Sequence, residues 1–447
     1  MKRRSSGNAT RFACLCSFIL ALASPAFGLT IDAALAQVVK NNPQVAQARS
    51  ALEQAAGQRL VFRSIALPNV SLGAIAGVQG GKRAGQDAVQ PFAFAQGNLR
   101  QPLFEAAVPA SLRRGDLAVL IAAQQLNVAL VEQLHQARLA FYTALYDRAL
   151  EELGRSQRQR LDENMRSEEA RYEAGNVDRG ALASATLQAR ELDPEIETAH
   201  RAYGAALLQL AAATGSDLAP DAPLPSPEGA LEFTPTNLSL QSETAAALDR
   251  RADLRLARLL VRATREDQRI AAAGYYPRLD LTVFGRYIPS TNLREASSGS
   301  AQRSNDIVSS EISPGASYTW RVIDNGTVGG AVLRARSLRE INELELQKLV
   351  RSVGRELATL QNQLRAIDAR HASLTGAVDL AEKNLAIVEK GWREGLASQL
   401  EFRTAETSLL ATRRDLLDTT YQQNVVRAEW DRATGRYFQF TDENGAA

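Results

Sequence analysis

The side chains of this 447-residue sequence that could do chemistry are three histidines, two cysteines and a large set of carboxylates, and their spacing assembles no reactive centre. His135, His200 and His371 each stand alone in a helical stretch with no second ligand at metal-binding spacing, so surface or inter-helix packing is the expected role and no metal is expected. Cys14 and Cys16 lie within an apolar run, Phe12 to Ala23, that follows Lys2, Arg3, Arg4 and Arg11 and precedes the small residues Ala26 and Gly28. That order reads as a cleaved export signal, residues 1–28. Neither cysteine follows a Leu-small-small tripeptide, so the processed chain is expected to carry no acyl anchor, disulfide or thiolate. Gly329 and Gly330 lack the G-x-G-x-x-G and G-K-[ST] contexts of phosphate-binding loops, and no cofactor is expected. Aspartates and glutamates abound without a His, Ser or Cys partner set, so the chain is not expected to be an enzyme. Its 52 basic and 50 acidic residues are interleaved along the same segments, which leaves no electrostatic footprint for nucleic acid.

The elements that carry these residues repeat once. A first half, 29–219, opens with a helix and continues through "LPNVSLGAIAGV" (Leu67 to Val78), "RQPLFEAA" (Arg100 to Ala107), a long helical stretch, "YEAGNV" (Tyr172 to Val177) and "AATG" (Ala212 to Gly215). A second half, 241–435, gives a helix, "YPRLDLTVFGRY" (Tyr276 to Tyr287), "TWRVIDNG" (Thr319 to Gly326), a long helix, "WREGLA" (Trp392 to Ala397) and "RATG" (Arg432 to Gly435). Six landmarks in one order make the halves structural duplicates. The stretch 220–240 between them holds Pro220, Pro223, Pro225, Pro227 and Pro235 and reads as a crossover, and 436–447 as a tail.

Two periodicities alternate within each half. From about Glu105 to Tyr172 the only proline is Pro109, near the start, and Leu126, Leu130, Leu134, Ala137, Phe141 and Ala144 keep helical spacing. Such a helix would extend about 100 Å, too long for a compact domain. Thr327 to Trp392 behaves alike, with Leu338, Ile341, Leu344, Leu349, Leu357, Leu360, Leu364 and Ile367. Narrow apolar stripes of this kind need lateral coiled-coil partners. The short segments beside the helices have a period of two, and two hairpins are expected, at about 68–100 and 277–322. After the export signal no segment is a continuous apolar stretch of spanning length, so insertion in a bilayer would require strands closed into a barrel.

Four strands cannot close a membrane barrel, since the smallest single-chain examples use about eight, so several chains must share one. The expected lipid-facing or girdle residues are Leu279, Leu281, Val283, Tyr287, Tyr318 and Trp320, alternating with lumen residues Asp280, Thr282, Arg286, Ser317 and Arg321. Mostly α structure with a small β part follows: duplicated long helices continuing the barrel wall, and four strands per chain.

The opening "LTIDAALAQVVKNNPQVAQA", the Pro-led strands, "QPLF" entering the long helix and the Tyr/Trp-x-x-Gly turns resemble the outer-membrane efflux protein family typified by TolC, over essentially the whole processed chain. The resemblance implies a homotrimer with a twelve-stranded barrel in outer-membrane lipid and an α-helical barrel in the periplasm. It also implies docking to a periplasmic adaptor and an inner-membrane transporter, for efflux or type I secretion. Carried over, Tyr172, Gly175, Trp392 and Gly395 mark the two periplasmic tips, about 172–180 and 392–400, where the adaptor docks. Glu401, with Arg403 nearby, corresponds to the pore constriction; Thr404 lacks the second acid of the family's best-known member and Ala397 replaces a basic residue of its gate. Helical capping alone would also explain the two glycines. A periplasmic adaptor or a structural coiled-coil protein is the alternative, though adaptors carry one helical hairpin between compact β domains and a structural rod has no use for alternating strands.

Overall fold

The computed structural model describes residues 28–80, 89–216, 224–236, 238–287 and 310–436. Residues 1–27 of the expected export signal, the tail beyond Arg436, Pro220 and Pro223 of the crossover, and most of both hairpin loops, Gly80 to Gln90 and Pro289 to Ser310, lie outside the described residues.

The first half runs α1 (Ile31–Asn41), α2 (Pro43–Ser64), β1 (Asn69–Gly80), β2 (Val89–Phe104), α3 (Val108–Glu173), α4 (Arg179–Glu191) and α5 (Asp193–Thr214). The second runs α6 (Leu240–Arg250), α7 (Ala252–Ala272), β3 (Arg278–Tyr287), β4 (Ser310–Thr319), α8 (Thr327–Arg393) and α9 (Gln399–Thr434). The long helices α3 and α8 hold 66 and 67 residues. Each expected opening helix is in fact two helices meeting at an elbow. Pro43 drives the preceding Asn42 into extended backbone, and the Asn42 side chain then caps α2 by accepting from the Gln44 amide at 2.9 Å. Arg251 holds the second elbow with no proline beside it: it donates to Glu356 at 2.6 Å, to Asp253 at 2.8 Å and to the Ala433 carbonyl at 3.2 Å. The return helix of the first half is likewise broken, between α4 and α5, because Pro194 lacks the N–H that would continue it. Its counterpart α9 runs 36 residues unbroken.

On the strand side of the elbows the helices lie in one layer, α2 against α3, α3 against α7 and α7 against α8. On the far side the order is α4 and α5 against α3, then α3 against α9 and α9 against α8. The α3 stripe Leu130, Leu134, Ala137, Phe141 and Ala144 is buried, much of it against α1 and α5. In α8 the stripe divides: Leu357, Leu360 and Leu364 pack with Leu254 and Trp430, whereas Leu338, Ile341 and Leu344 stand exposed at the edge of the layer. By length and composition one 18-residue window of α3 is apolar enough to cross a membrane, contrary to the expectation from the sequence. That helix is more than three times a span and packs within the layer, and its glutamines Gln124, Gln125 and Gln133 interrupt the apolar run.

The crossover binds both halves. Leu29 pairs with Pro227, Arg148 of α3 donates to the Pro227 carbonyl at 2.6 Å, and Gln423 of α9 both accepts from the Thr234 amide at 3.0 Å and donates to its carbonyl at 2.7 Å.

The strands form one antiparallel sheet in the order β1-β2-β3-β4, so β1 and β4 are its open edges. β2 continues past Arg100 to Phe104, with a register shift between Pro102 and Phe104. β4 stops at Thr319, three residues short of the expected hairpin end.

Candidate functional site

The sheet has two chemically distinct faces, and the register lets each be followed across all four strands. Val70, Leu99 and Val283 share one cross-strand row, and Leu279 stands opposite Tyr318, Leu281 opposite Ala316 and Tyr287 opposite Ala95. On the other face Asp280 stands opposite Ser317 and Pro102, Thr282 opposite Arg100, and Arg286 opposite Gln96 and Glu311. The alternation therefore groups Leu279, Leu281, Val283, Tyr287 and Tyr318 away from Asp280, Thr282, Arg286 and Ser317. Trp320 and Arg321 fall after the strand: Trp320 donates its indole N–H to the Tyr275 carbonyl at 3.3 Å, tying the end of β4 to the turn that follows α7, and Arg321 is exposed in the segment leading to α8.

Asp280 organises the polar face. It is 2% exposed, and Nε of Arg100 and Nε of Arg278 lie 3.1 and 3.0 Å from its Oδ2. Neither arginine was singled out from the sequence; the signal was their position two residues from, or diagonally across from, the one carboxylate of β3. Further along the face, the Arg286 guanidinium lies 4.6 Å from the Phe94 ring centre.

The helix turns at the far end from the sheet are built alike. Gly175 has φ 74° and Gly395 φ 77°, a left-handed conformation that costs Gly little. In each, the amide after the glycine closes back on the preceding helix, Asn176 to Arg171 O at 2.9 Å and Leu396 to Gly391 O at 2.7 Å. Asp178 then caps α4 by accepting from the Ala181 amide at 2.8 Å, and Ser398 caps α9 with Glu401 completing a capping box.

The aromatic landmarks of the two turns differ in placement. Tyr172 is half-exposed, whereas Trp392 is 8% exposed, stacked on Phe402 at 5.0 Å and covered by the Arg171 guanidinium at 5.5 Å. The apolar groups actually offered to solvent at the second turn are Leu396, 81% exposed, and Leu400, 70% exposed, which the sequence reading passed over.

The Glu401 carboxylate accepts from the Ser398 amide at 2.7 Å and from its hydroxyl at 2.9 Å, and the amide bond above all holds its pKa below the ordinary 4.5. A folded value below the unfolded one means that this stabilisation is present above the unfolded carboxylate's range and is lost as pH falls through the folded value. Amide exchange at Ser398 and in the first turn of α9 should therefore accelerate as pH drops below the carboxylate range, once corrected for intrinsic rates. Glu401→Ala should abolish that pH dependence, and a first turn indifferent to the substitution would remove the capping role. Arg403 donates to the Ser184 hydroxyl at 3.1 Å, linking α9 to α4 within the chain. Glu406 of α9 is buried, which raises its pKa against the opposing pull of Arg160 of α3.

The histidines lie apart. His135 is buried beside α9, His200 Nδ1 is 2.9 Å from Glu151, and His371 stacks on Phe233 at 3.5 Å. Among the described residues no group of three or more His, Cys, Asp or Glu side chains could hold a metal ion.

The described chain is thus a layer of long helices ending in a sheet with two chemically distinct faces. Residues 244–436 match the model of the outer membrane efflux protein family. Solved structures extend the likeness to nearly the whole chain. The outer membrane protein VceC of Vibrio cholerae is 20% identical with a TM-score of 0.75, over 91% of this chain and 96% of its own. A membrane protein from Pseudomonas aeruginosa is 16% identical with a TM-score of 0.78, over 93% and 92%. The Campylobacter jejuni CmeC outer membrane channel is 16% identical with a TM-score of 0.77, over 92% and 87%. No curated protein matches the chain by sequence. The fold is thus TolC-like, mostly α with a small β part, as the resemblance implied.

Proposed function

We propose that the chain is one subunit of a trimeric outer-membrane channel that passively conducts solutes delivered by an inner-membrane transporter, in a tripartite efflux or type I secretion system. The observation that carries this is the four-stranded sheet with both edges unpaired, apolar on one face and polar on the other. Lipid leaves backbone groups of an open edge unsatisfied, so β4 of one copy must meet β1 of the next until the barrel closes. Three copies supply twelve strands, and four strands alone fall short of the roughly eight that any known single-chain barrel needs. The helical layer has matching open edges: Leu60 and Val61 of α2 are exposed at one, and Leu338, Ile341 and Leu344 of α8 at the other.

In this assembly Leu279, Leu281 and Val283 meet lipid, with Tyr287, Tyr318 and Trp320 in the aromatic girdles, while Asp280, Thr282, Arg286 and Ser317 line the lumen, with Arg321 at its lower rim. The helices continue as a periplasmic cylinder. Its tips, at Tyr172, Gly175, Trp392 and Gly395, receive the adaptor; Gly175 and Gly395 shape the turns, and Leu396 and Leu400 offer the apolar contact. Glu401 is the constriction residue and Arg403 ties the two hairpins behind it. The adaptor and structural coiled-coil readings give the two-faced sheet nothing to do.

Detergent extracts of outer membranes should yield a trimer that opens discrete channels in planar bilayers. A monomer recovered from the soluble periplasm, or a trimer with no conductance, would defeat the reading. At the tip, Glu401→Gln should weaken cation selectivity or block by multivalent cations, and unchanged selectivity would take Glu401 out of the constriction.

A further inference from the structure

We propose that Arg100 and Arg278, held by the buried carboxylate of Asp280, form an anion-attracting belt on the lumen wall at the end of the barrel nearest the helices. This rests on the channel reading above. The cluster lies on β2 and β3, the two inner strands of the sheet, so its exposure does not depend on the neighbouring copies that close β1 and β4. Both guanidiniums reach the same oxygen of Asp280 with their Nε atoms, and their side chains remain 40% and 39% exposed beside a carboxylate that is 3% exposed. Two cations thus share one hidden anion, and one positive charge per chain faces the lumen.

The rest of the polar face does not cancel it. Arg286 stands directly opposite Glu311 on β4, so those charges offset one another further along the barrel. The remaining described residues of this face are uncharged. Beyond the strands Glu105 and Arg321 are opposite in sign, and Asp324 accepts from the Gly326 and Val328 amides at 3.0 and 2.7 Å, where its charge meets the positive end of α8. Copied threefold, the guanidinium pairs give a belt that raises the local concentration of anionic solutes, whether carboxylates, phosphates or chloride. Its reach is set by screening, about 30 Å at 0.01 M salt, about 10 Å at 0.1 M and about 3 Å at 1 M.

The experiment is the reversal potential of the purified trimer in planar bilayers under a potassium chloride gradient. R100Q/R278Q should shift it toward cation preference and D280N toward anion preference, with both shifts growing as salt is lowered and disappearing near 1 M. R100K/R278K, which keeps the charge, should retain the wild-type value, and R278Q alone should give a smaller shift than the double variant. R100Q/R278Q trimers with wild-type conductance and an unchanged reversal potential at low salt would overturn the belt, as would D280N and R100Q/R278Q moving in the same direction. Failure of the channel reading is distinguishable, since the wild-type trimer would then show no conductance before any variant is compared.

Discussion

Trp392→Ala should loosen the second helical tip by about 3–5 kcal/mol, the usual cost of truncating a buried aromatic side chain. The indole is the largest member of a small satellite core with Leu385, Phe402, Ala405 and Leu409, flanked by Val388 and Ala397. The parallel stack on Phe402 joins the last turn of α8 to the first turn of α9, so the same substitution releases the two strands of the coiled coil from each other where they reverse. It also uncovers the Arg171 guanidinium and thereby the contact between the two hairpins. Amide exchange should rise through the last turns of α8 and the first turns of α9, while the sheet, at the opposite end of the long helices, keeps its protection. Tyr172→Ala is the control: its ring is half-exposed, so the expected cost is well below that of Trp392. Equal exchange at the tips of the two variants would show that Trp392 is not a packing anchor.

That contrast marks where sequence pattern stops being informative. The turns themselves were readable, because a glycine after a long periodic helix followed by Asp178 or Ser398 has one economical conformation. Whether the aromatic residue three positions before the glycine faces inward or outward depends on what the returning helix presents, Phe402 in one half and no aromatic ring in the other. The two-residue alternation of β3 was equally readable. The end of β4 was not, since Trp320, Arg321 and Val322 keep alternating after the backbone has left the sheet. At the elbows, Pro43 announces one in the sequence, but the other rests on Arg251 bonding to Glu356, 105 positions away, and local pattern carries no trace of that. The capping role of Glu401 was available in Ser398-x-x-Glu401, the spacing of a capping box, and was overlooked in favour of its position near the expected constriction.

The elbows also decide the second large effect, which separates a glycine's dihedral from its surroundings. Gly215 ends α5 with φ 68°, nearly the same as the 74° of Gly175 at the tip. A Cβ on Gly175 would meet nothing within 4 Å, so Gly175→Ala should cost only the left-handed backbone, about 1–2 kcal/mol. A Cβ on Gly215 would lie 2.6 Å from the Asn41 carbonyl oxygen and 2.7 Å from its carbon. Those are backbone atoms of the first elbow, and Asn42 beside them donates to the Ala213 carbonyl at 2.9 Å and to Gln133 at 3.1 Å, so they cannot move without breaking that network. Overpacking of about 1–3 kcal/mol then adds to the dihedral cost, and Gly215→Ala should total about 2–5 kcal/mol. Gly435, the counterpart in the second half, has its nearest contacts at 3.1 Å, from the Arg250 Cβ and the Arg251 nitrogen, and should fall between the two. Amide exchange in α1, α2 and α5 measures the first effect and exchange in α6 and α7 the last. Similar losses at Gly215 and Gly175 would mean that the end of α5 does not press on the elbow between α1 and α2.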